Sequence, residues 1–146
     1  MSGVFRYASH AGLAKPGILV VEDDHASQEL VRALLESAGY HVEVTGAASI
    51  ALVRADELQP ALILVDIGLP GWDGLWLTRE LKRRPQTTHI PVVALTGHVR
   101  LGDREAALDA GCIGLISKPI DTRAFAGRVA AYIAGGKDLG MGSSRW

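Results

Sequence analysis

The stretch Ala61-Leu62-Ile63-Leu64-Val65-Asp66-Ile67-Gly68-Leu69-Pro70-Gly71 decides the fold class. It opens with a short apolar run that lacks the alternation of a strand with one solvent-exposed face. Such a run is typical of a parallel strand that is buried on both sides. An acidic residue and a turn with two glycines follow at once. A carboxylate is therefore predicted at the carboxyl end of a central strand.

Similar apolar runs lie elsewhere along the chain, and segments with helical spacing separate them. The runs cover residues 17–21, 91–95 and 113–116, and a weaker alternating run covers 41–45. Helix ends are predicted at Gly39 and Gly111, because glycine favours the position after a helix, and before Pro85, which cannot continue one. The alternation predicts an α/β fold. We expect a doubly wound, five-stranded parallel sheet of flavodoxin-like order 2-1-3-4-5, with helices on both faces.

Length and composition limit the class of protein. The 146 residues include 15 basic and 16 acidic side chains, a formal charge of −1 that argues against DNA binding. Neither a membrane span of ~18 apolar residues nor a signal peptide is visible. The single cysteine, Cys112, cannot form an internal disulfide, so the cytoplasm is expected. We expect one domain at residues 17–135, between an N-terminal arm (1–16) and a C-terminal tail (136–146).

Polar side chains follow the predicted strands at the point where each strand ends. Glu22 and Asp23 follow the first strand, Asp66 the third, Thr96 the fourth and Lys118 the fifth. Ligands of parallel α/β sheets bind at the carboxyl ends of the strands, so these side chains are expected to share one pocket. Grouped carboxylates repel one another and call for a cation. Oxygen ligands without His or Cys favour Mg²⁺, and a lysine and a hydroxyl suit a phosphoryl group.

Four segments together resemble the signature of the response-regulator receiver domain of two-component signalling. They are Val21-Glu22-Asp23-Asp24, Val65-Asp66 through Trp72-Asp73-Gly74, Ala94-Leu95-Thr96-Gly97, and Ser117-Lys118-Pro119-Ile120. The resemblance covers residue 17 to about residue 133. It implies a stand-alone regulator that accepts a phosphoryl group from a sensor histidine kinase or a histidine phosphotransfer protein.

The resemblance also implies a role for each site residue. Asp66 would be the phospho-acceptor, and Thr96 and Lys118 would contact the phosphoryl group. Magnesium would be bound directly by Asp23, through water by Glu22, by the Gly68 carbonyl and by Asp66 itself. The Lys118–Pro119 bond would be cis. The protein would promote its own phosphorylation and dephosphorylation without being a turnover enzyme.

Two positions depart from the family pattern. Receiver domains usually carry Tyr or Phe three residues before the lysine, as a side chain that changes rotamer on activation, and here Leu115 stands there. Gly97 replaces the usual alanine after the threonine, which loosens that loop. A leucine has no ring to expose or hide, so we expect phosphorylation to change the surface near the fifth strand only modestly.

Other functions can be weighed against the same residues. A phosphorylation-gated protein-binding regulator would use the same site. An Asp-nucleophile phosphatase would need a second Asp where Gly68 stands, so that position argues against it. A flavin-binding domain would need a phosphate-binding loop of hydroxyl residues after the first strand, and the acids found there argue against it on charge. A pseudo-receiver, used purely as an interaction module, would not need a complete site, so the complete set of site residues argues against this alternative.

A few further residues could contribute outside the cluster. His98, two residues after Thr96, could affect hydrolysis of a phospho-aspartate. Trp76, away from the apolar stripe of its helix, could be exposed and contact a partner. The arm, the tail and the apolar last helix make a homodimer plausible; that helix carries Phe125, Ala126, Val129, Ala130 and Ile133.

Overall fold

The computed structural model describes residues 16–68, 73–97 and 102–135. Residues 1–15 of the predicted arm, the predicted tail, Trp72 and His98 lie outside these ranges. Strands and helices alternate through the described residues: β1 (Gly17–Val21), α1 (His25–Ser37), β2 (His41–Thr45), α2 (Ala48–Leu58), β3 (Leu62–Asp66), α3 (Asp73–Arg83), β4 (Val92–Thr96), α4 (Asp103–Ala110), β5 (Gly114–Ser117) and α5 (Phe125–Ile133).

The strands form one parallel sheet in the order β2-β1-β3-β4-β5, which confirms the predicted fold class and strand order. β1, β3 and β4 are buried along their whole length, since helices cover both faces of the sheet. This explains their continuous apolar sequences. β2 lies at an edge and is only half-buried, in keeping with its weaker pattern.

Two apolar layers lie on opposite faces of the sheet. One contains side chains of α2, α3 and α4, among them Leu52, Leu77 and Ala107. The other contains side chains of α1 and α5, among them Val31 and Phe125. The sheet thus lies at the centre of the molecule, and the loops that lead from each strand into the next helix lie at its carboxyl edge.

Three strands run one residue further than the sequence predicts. β3 ends at Asp66, β4 at Thr96 and β5 at Ser117, because the ladder continues into these polar residues. Asp66 is in register with Leu95, and Thr96 with Ser117. The backbone of Asp66 and Thr96 is therefore held by the sheet and not by a loop.

The helix ends follow the predicted signals, with one exception. Gly39 and Gly111 have φ angles of 100° and 117°, so each adopts the left-handed conformation that ends a helix. The exception is α5: Asp121 is a residue type that favours the N-cap of a helix, but α5 begins only at Phe125 and has no side-chain cap. The Asp121 side chain accepts the backbone N–H of Arg123 at 3.0 Å and closes a turn that precedes the helix. None of the helices in the described residues is long and apolar enough to cross a membrane.

The first turn of α3 lies directly against the end of β3, and a glycine makes this possible. A Cβ atom on Gly74 would lie 2.6 Å from the carbonyl oxygen of Asp66 and 2.7 Å from the Cα atom of Ile67. The buried Thr78 hydroxyl donates a hydrogen bond to the Gly74 carbonyl at 2.9 Å and fixes the same turn. The position of α3 is thus coupled to the backbone of Asp66.

We predict that Gly74→Ala lowers the free energy of unfolding by about 1–3 kcal/mol, because the new methyl group meets backbone atoms that cannot move aside cheaply. The matched control is Gly127→Ala in α5, where a Cβ would meet nothing within 4 Å. This control should raise the free energy of unfolding by roughly 0.5–1 kcal/mol, since alanine is the better helix former. Urea denaturation measures both changes. Equal effects of the two substitutions would contradict the close approach at Gly74.

Candidate functional site

Three carboxylates meet at the carboxyl edge of the sheet, where β1 and β3 are neighbours. Glu22, Asp23 and Asp66 each offer one oxygen atom, and these atoms all lie within 4.8 Å of one another. Glu22 is fully buried and Asp66 is 7% exposed, whereas Asp23 is exposed. The cluster therefore has a closed inner side and an open outer side, formed by Asp23.

The third acid after β1 has a different role. Asp24 caps α1, and its carboxylate accepts the backbone N–H of Ser27 at 2.9 Å. This hydrogen bond holds the pKa of Asp24 below its usual value. At the same junction the Gln28 amide donates to the Glu22 carbonyl at 2.5 Å. α1 is thereby fixed to the end of β1, which holds Glu22 and Asp23 in place.

Lys118 brings a positive charge into the cluster from the other end of the chain. Its Nζ atom lies 2.5 Å from Glu22 Oε1 and 3.2 Å from Asp66 Oδ2. The peptide bond between Lys118 and Pro119 is cis, as predicted. The backbone N–H of Lys118 donates to the Thr96 carbonyl at 2.7 Å. One residue therefore joins the ends of β1, β3 and β4.

Burial and charge act against each other in this cluster. Burial raises the pKa of Glu22 above its usual value, although the hydrogen bond from Lys118 partly offsets the effect. Burial alone lowers the pKa of Lys118. The hydrogen bond and charge of Glu22 and the charge of Asp66 outweigh this, so the pKa of Lys118 lies above its usual value. Lys118 is therefore a permanent cation at neutral pH.

Gly68 and Thr96 flank the carboxylate of Asp66. The backbone N–H of Gly68 donates to Asp66 Oδ1 at 2.7 Å, and a Cβ on Gly68 would lie 3.1 Å from the same oxygen. Thr96 is 4% exposed and ends the neighbouring strand. The structure thus brings all six predicted site residues to one edge of the sheet: Glu22, Asp23, Asp66, Gly68, Thr96 and Lys118.

The donor set suits a hard divalent cation. Three carboxylates and one ammonium group leave a formal charge of −2 at the cluster. The available ligands are oxygens, with no nitrogen or sulfur ligand in the cluster. Mg²⁺ prefers such oxygen ligands, and it retains water molecules on an open side such as that next to Asp23.

Leu115 is buried, and its surroundings show how β5 is held. Its side chain packs in the same apolar layer as Ala107 of α4. From α5, the Arg128 guanidinium donates to the Leu115 carbonyl and to the Tyr132 hydroxyl, both at 3.1 Å. A Cβ on Gly114 would overlap the Tyr132 ring, so the ring lies directly on the β5 backbone.

Sequence reasoning missed Arg128 and Tyr132, because nothing in their spacing indicates a contact with β5. It also missed the role of Gly74, which belongs to the quoted motif but signals no contact by itself. Trp76, in contrast, was expected to be exposed, and 42% of its surface is accessible. Contact of Trp76 with a partner stays a prediction, as does any role of His98.

Comparison with known proteins agrees with this geometry. The family described as the response regulator receiver domain matches residues 18–130. Among curated relatives, the polar-differentiation response regulator DivK of Brucella ovis is 39% identical over 116 residues, which span 80% of this chain and 94% of the relative.

Solved structures give the same result. A putative response regulator from Chloroflexus aurantiacus has a TM-score of 0.78 at 28% identity and matches 82% of this chain and 98% of its own. The receiver domain of a sensor histidine kinase from Pseudomonas aeruginosa, with a magnesium ion coordinated in its active-site cleft, has a TM-score of 0.75 at 32% identity. That match covers 84% of this chain and all of the other. The sheet order, the carboxylate cluster beside Lys118 and these matches lead to one conclusion: the chain belongs to the response regulator receiver domain family of two-component signalling.

Proposed function

We propose that this protein is a stand-alone response regulator that accepts a phosphoryl group on Asp66. The phosphoryl donor would be a phosphohistidine of a sensor histidine kinase or of a histidine phosphotransfer protein. The observation that carries the proposal is the Asp66 carboxylate itself, at the end of a central strand and within one cluster with Glu22, Asp23 and Lys118. We place the receiver domain at residues 17–135 and the protein in the cytoplasm.

The proposed step is a transfer between two protein side chains. A carboxylate oxygen of Asp66 attacks the phosphorus atom, a new O–P bond forms and the P–N bond to the histidine ring breaks. The electron pair of that bond returns to the imidazole, which then takes up a proton. The product is an acyl phosphate on Asp66, and no oxidant or reductant is required.

Each neighbour of Asp66 has a proposed role in this step. The Lys118 ammonium, already bonded to both buried carboxylates, would balance the charge of the phosphoryl oxygens. The Thr96 hydroxyl would donate a hydrogen bond to one of these oxygens. Glu22, Asp23, Asp66 and the Gly68 carbonyl would hold Mg²⁺, which when bound neutralises negative charge at the transferring group. The magnesium ion of the Pseudomonas receiver domain supports this part of the proposal.

Two uses of the phosphorylated state are compatible with this site. As a phosphotransfer shuttle, the protein would pass the group from Asp66 to another histidine. As a gated regulator, it would bind a partner only when phosphorylated. Leu115 favours the shuttle, because this buried side chain has no ring that could move between an exposed and a buried position.

We predict that a small-molecule phosphodonor adds one phosphoryl group to the full chain in the presence of Mg²⁺. Intact-mass spectrometry measures the addition, and a chelator should prevent it. Asp66→Asn should abolish it, whereas Asp56→Asn, on the exposed side of α2, should leave it unchanged. Phosphate on a serine or a histidine, or undiminished labelling of Asp66→Asn, would contradict the assignment of the acceptor.

We further predict that Mg²⁺ raises the melting temperature of the unphosphorylated protein. Binding to the folded state alone stabilises it by RT ln(1 + [L]/Kd), about 2.7 kcal/mol at a 100-fold excess over Kd. Thermal melts with and without millimolar Mg²⁺ test this. Asp23→Ala should greatly reduce the shift and Asp56→Ala should preserve it. A wild-type melt that does not respond to Mg²⁺ would rule out the metal site.

A third prediction concerns Leu115. Phosphorylation, or its beryllofluoride mimic, should change amide hydrogen exchange only modestly in α4, β5 and α5, since a small switch residue gives little difference between the two states. Hydrogen-exchange mass spectrometry with and without the mimic measures this. Large changes confined to residues 97–120, together with phosphorylation-dependent binding of a partner that lacks a phospho-accepting histidine, would favour the gated regulator instead.

A further inference from the structure

The outward face of α3 combines an exposed aromatic ring with positive charge. Trp76, Arg79 and Arg83 are exposed and lie three and four residues apart, so they follow one side of the helix. Arg83 pairs with Glu80 of its own helix at 2.6 Å. Arg79 makes no ion pair with any other described residue. This face, which we call the basic strip, thus presents guanidinium groups next to an exposed indole ring.

The outward face of α4 has the complementary composition. Glu105, Leu108 and Asp109 are exposed on one side of the helix, and 37% of the Leu108 surface is accessible. Within the described part of the chain, neither Glu105 nor Asp109 takes part in an ion pair. This face, the acidic strip, surrounds an apolar side chain with two unpaired carboxylates.

The two strips lie side by side on one surface of the molecule. α3 and α4 pack against the same face of the sheet through Leu81 and Ala107. Each helix connects parallel strands, so the two helices also run in the same direction. A Cβ on Gly111 would overlap the Lys82 side chain, which places residues 82 and 111 at the same height. Three residues back along each helix from this pair, Arg79 is level with Leu108.

We propose that this surface binds a second copy of the same chain about a two-fold axis parallel to the two helices. Such an axis places α3 of each subunit against α4 of the partner. Rotation about it does not change the position of a residue along the helix direction, so residues that are level within one subunit are also level across the interface. Arg79 then faces Asp109 of the partner subunit. Arg83 lies less than one helical turn further along the helix direction, so its side chain reaches the same carboxylate. Trp76 lies one turn from Leu108 of the partner subunit, close enough for the rings and methyl groups to pack.

Charge selects this arrangement over the other simple one. A two-fold axis perpendicular to the helices would place α3 against α3 and α4 against α4, so arginine would face arginine and carboxylate would face carboxylate. The parallel axis brings opposite charges together on both sides of the dimer. The last helix, the candidate from sequence, is less suitable because Phe125 and Val129 are buried in the chain's own core.

The dimer should be weak and sensitive to salt. Two short helices offer much less than the roughly 800 Å² per subunit of a standard stable interface. The ion pairs lie at the surface, where each contributes little and salt screens it. We therefore expect a dissociation constant of roughly 0.1 mM at low ionic strength, in the range of weak complexes.

A charge-swap experiment on the full chain tests the proposal. The acidic variant carries Arg79→Glu and Arg83→Glu, so both of its strips are negative. The basic variant carries Glu105→Arg and Asp109→Arg, so both of its strips are positive. In sedimentation equilibrium up to about 1 mM protein, wild type should dimerise. Each variant alone should show a dissociation constant at least tenfold higher, and an equimolar mixture should dimerise again, because every contact then joins opposite charges.

Circular dichroism shows whether each variant is folded, and Arg123→Glu, exposed in the turn before α5 and outside both strips, is the matched charge control. If a double variant fails to fold, Trp76→Ser and the salt dependence of the wild-type dimer replace it. Both Trp76→Ser and high salt should weaken association. A wild-type protein that is monomeric at 1 mM and low salt overturns the proposal, and so does a dimer that the strip variants do not affect. A mixture that fails to restore association also overturns it.

Discussion

The ion pairs of Lys118 are the interaction on which the arrangement of the site depends. Glu22 and Asp66 are buried side by side, and two carboxylates taken out of water repel each other and lose their hydration. The Lys118 ammonium bonds to both. Loss of this cation would leave two buried carboxylates without their counter-ion, which is the costly form of a broken salt bridge. The two buried carboxylates can therefore lie side by side because β5 delivers the Lys118 ammonium to the same edge.

Strand order is what makes this delivery possible. Glu22 and Lys118 are separated by 96 positions in sequence, yet their side chains touch. In the observed order, β1 and β3 are neighbours and the crossover helices return every strand in the same direction, so all carboxyl ends lie on one edge. The same geometry places Thr96 beside Ser117 and Asp66 beside Leu95. The site thus follows from the topology of the sheet and needs no separate scaffold.

Much of this could be predicted from the sequence, and the parts that could not be predicted share a physical cause. Apolar runs, glycines and Pro85 are local signals, so the strands, their order and the ends of α1, α3 and α4 were predicted correctly. The last residue of a strand depends on its neighbour's ladder, which explains why β3 and β4 extend to Asp66 and Thr96. Asp121 carries a local capping signal, but the chain uses it for a turn. The contacts of Gly74 and Arg128 depend on how helices pack on the sheet, and the sequence of either helix alone does not indicate them.

β5 is held from both faces of the sheet, and under the proposed function this would limit what phosphorylation of Asp66 can change. On one face Leu115 packs beside Ala107 of α4, and on the other the Tyr132 ring covers Gly114. Arg128 ties the Leu115 carbonyl to α5. An aromatic side chain is thus present at β5, but it belongs to a helix and packs on the opposite face from Leu115. The Tyr132 ring fills the space above Gly114, so it packs directly on the strand that carries Lys118 to the site. Such packing would suit the proposed phosphotransfer shuttle, in which the same Asp66 site meets first a phosphohistidine donor and then a histidine acceptor.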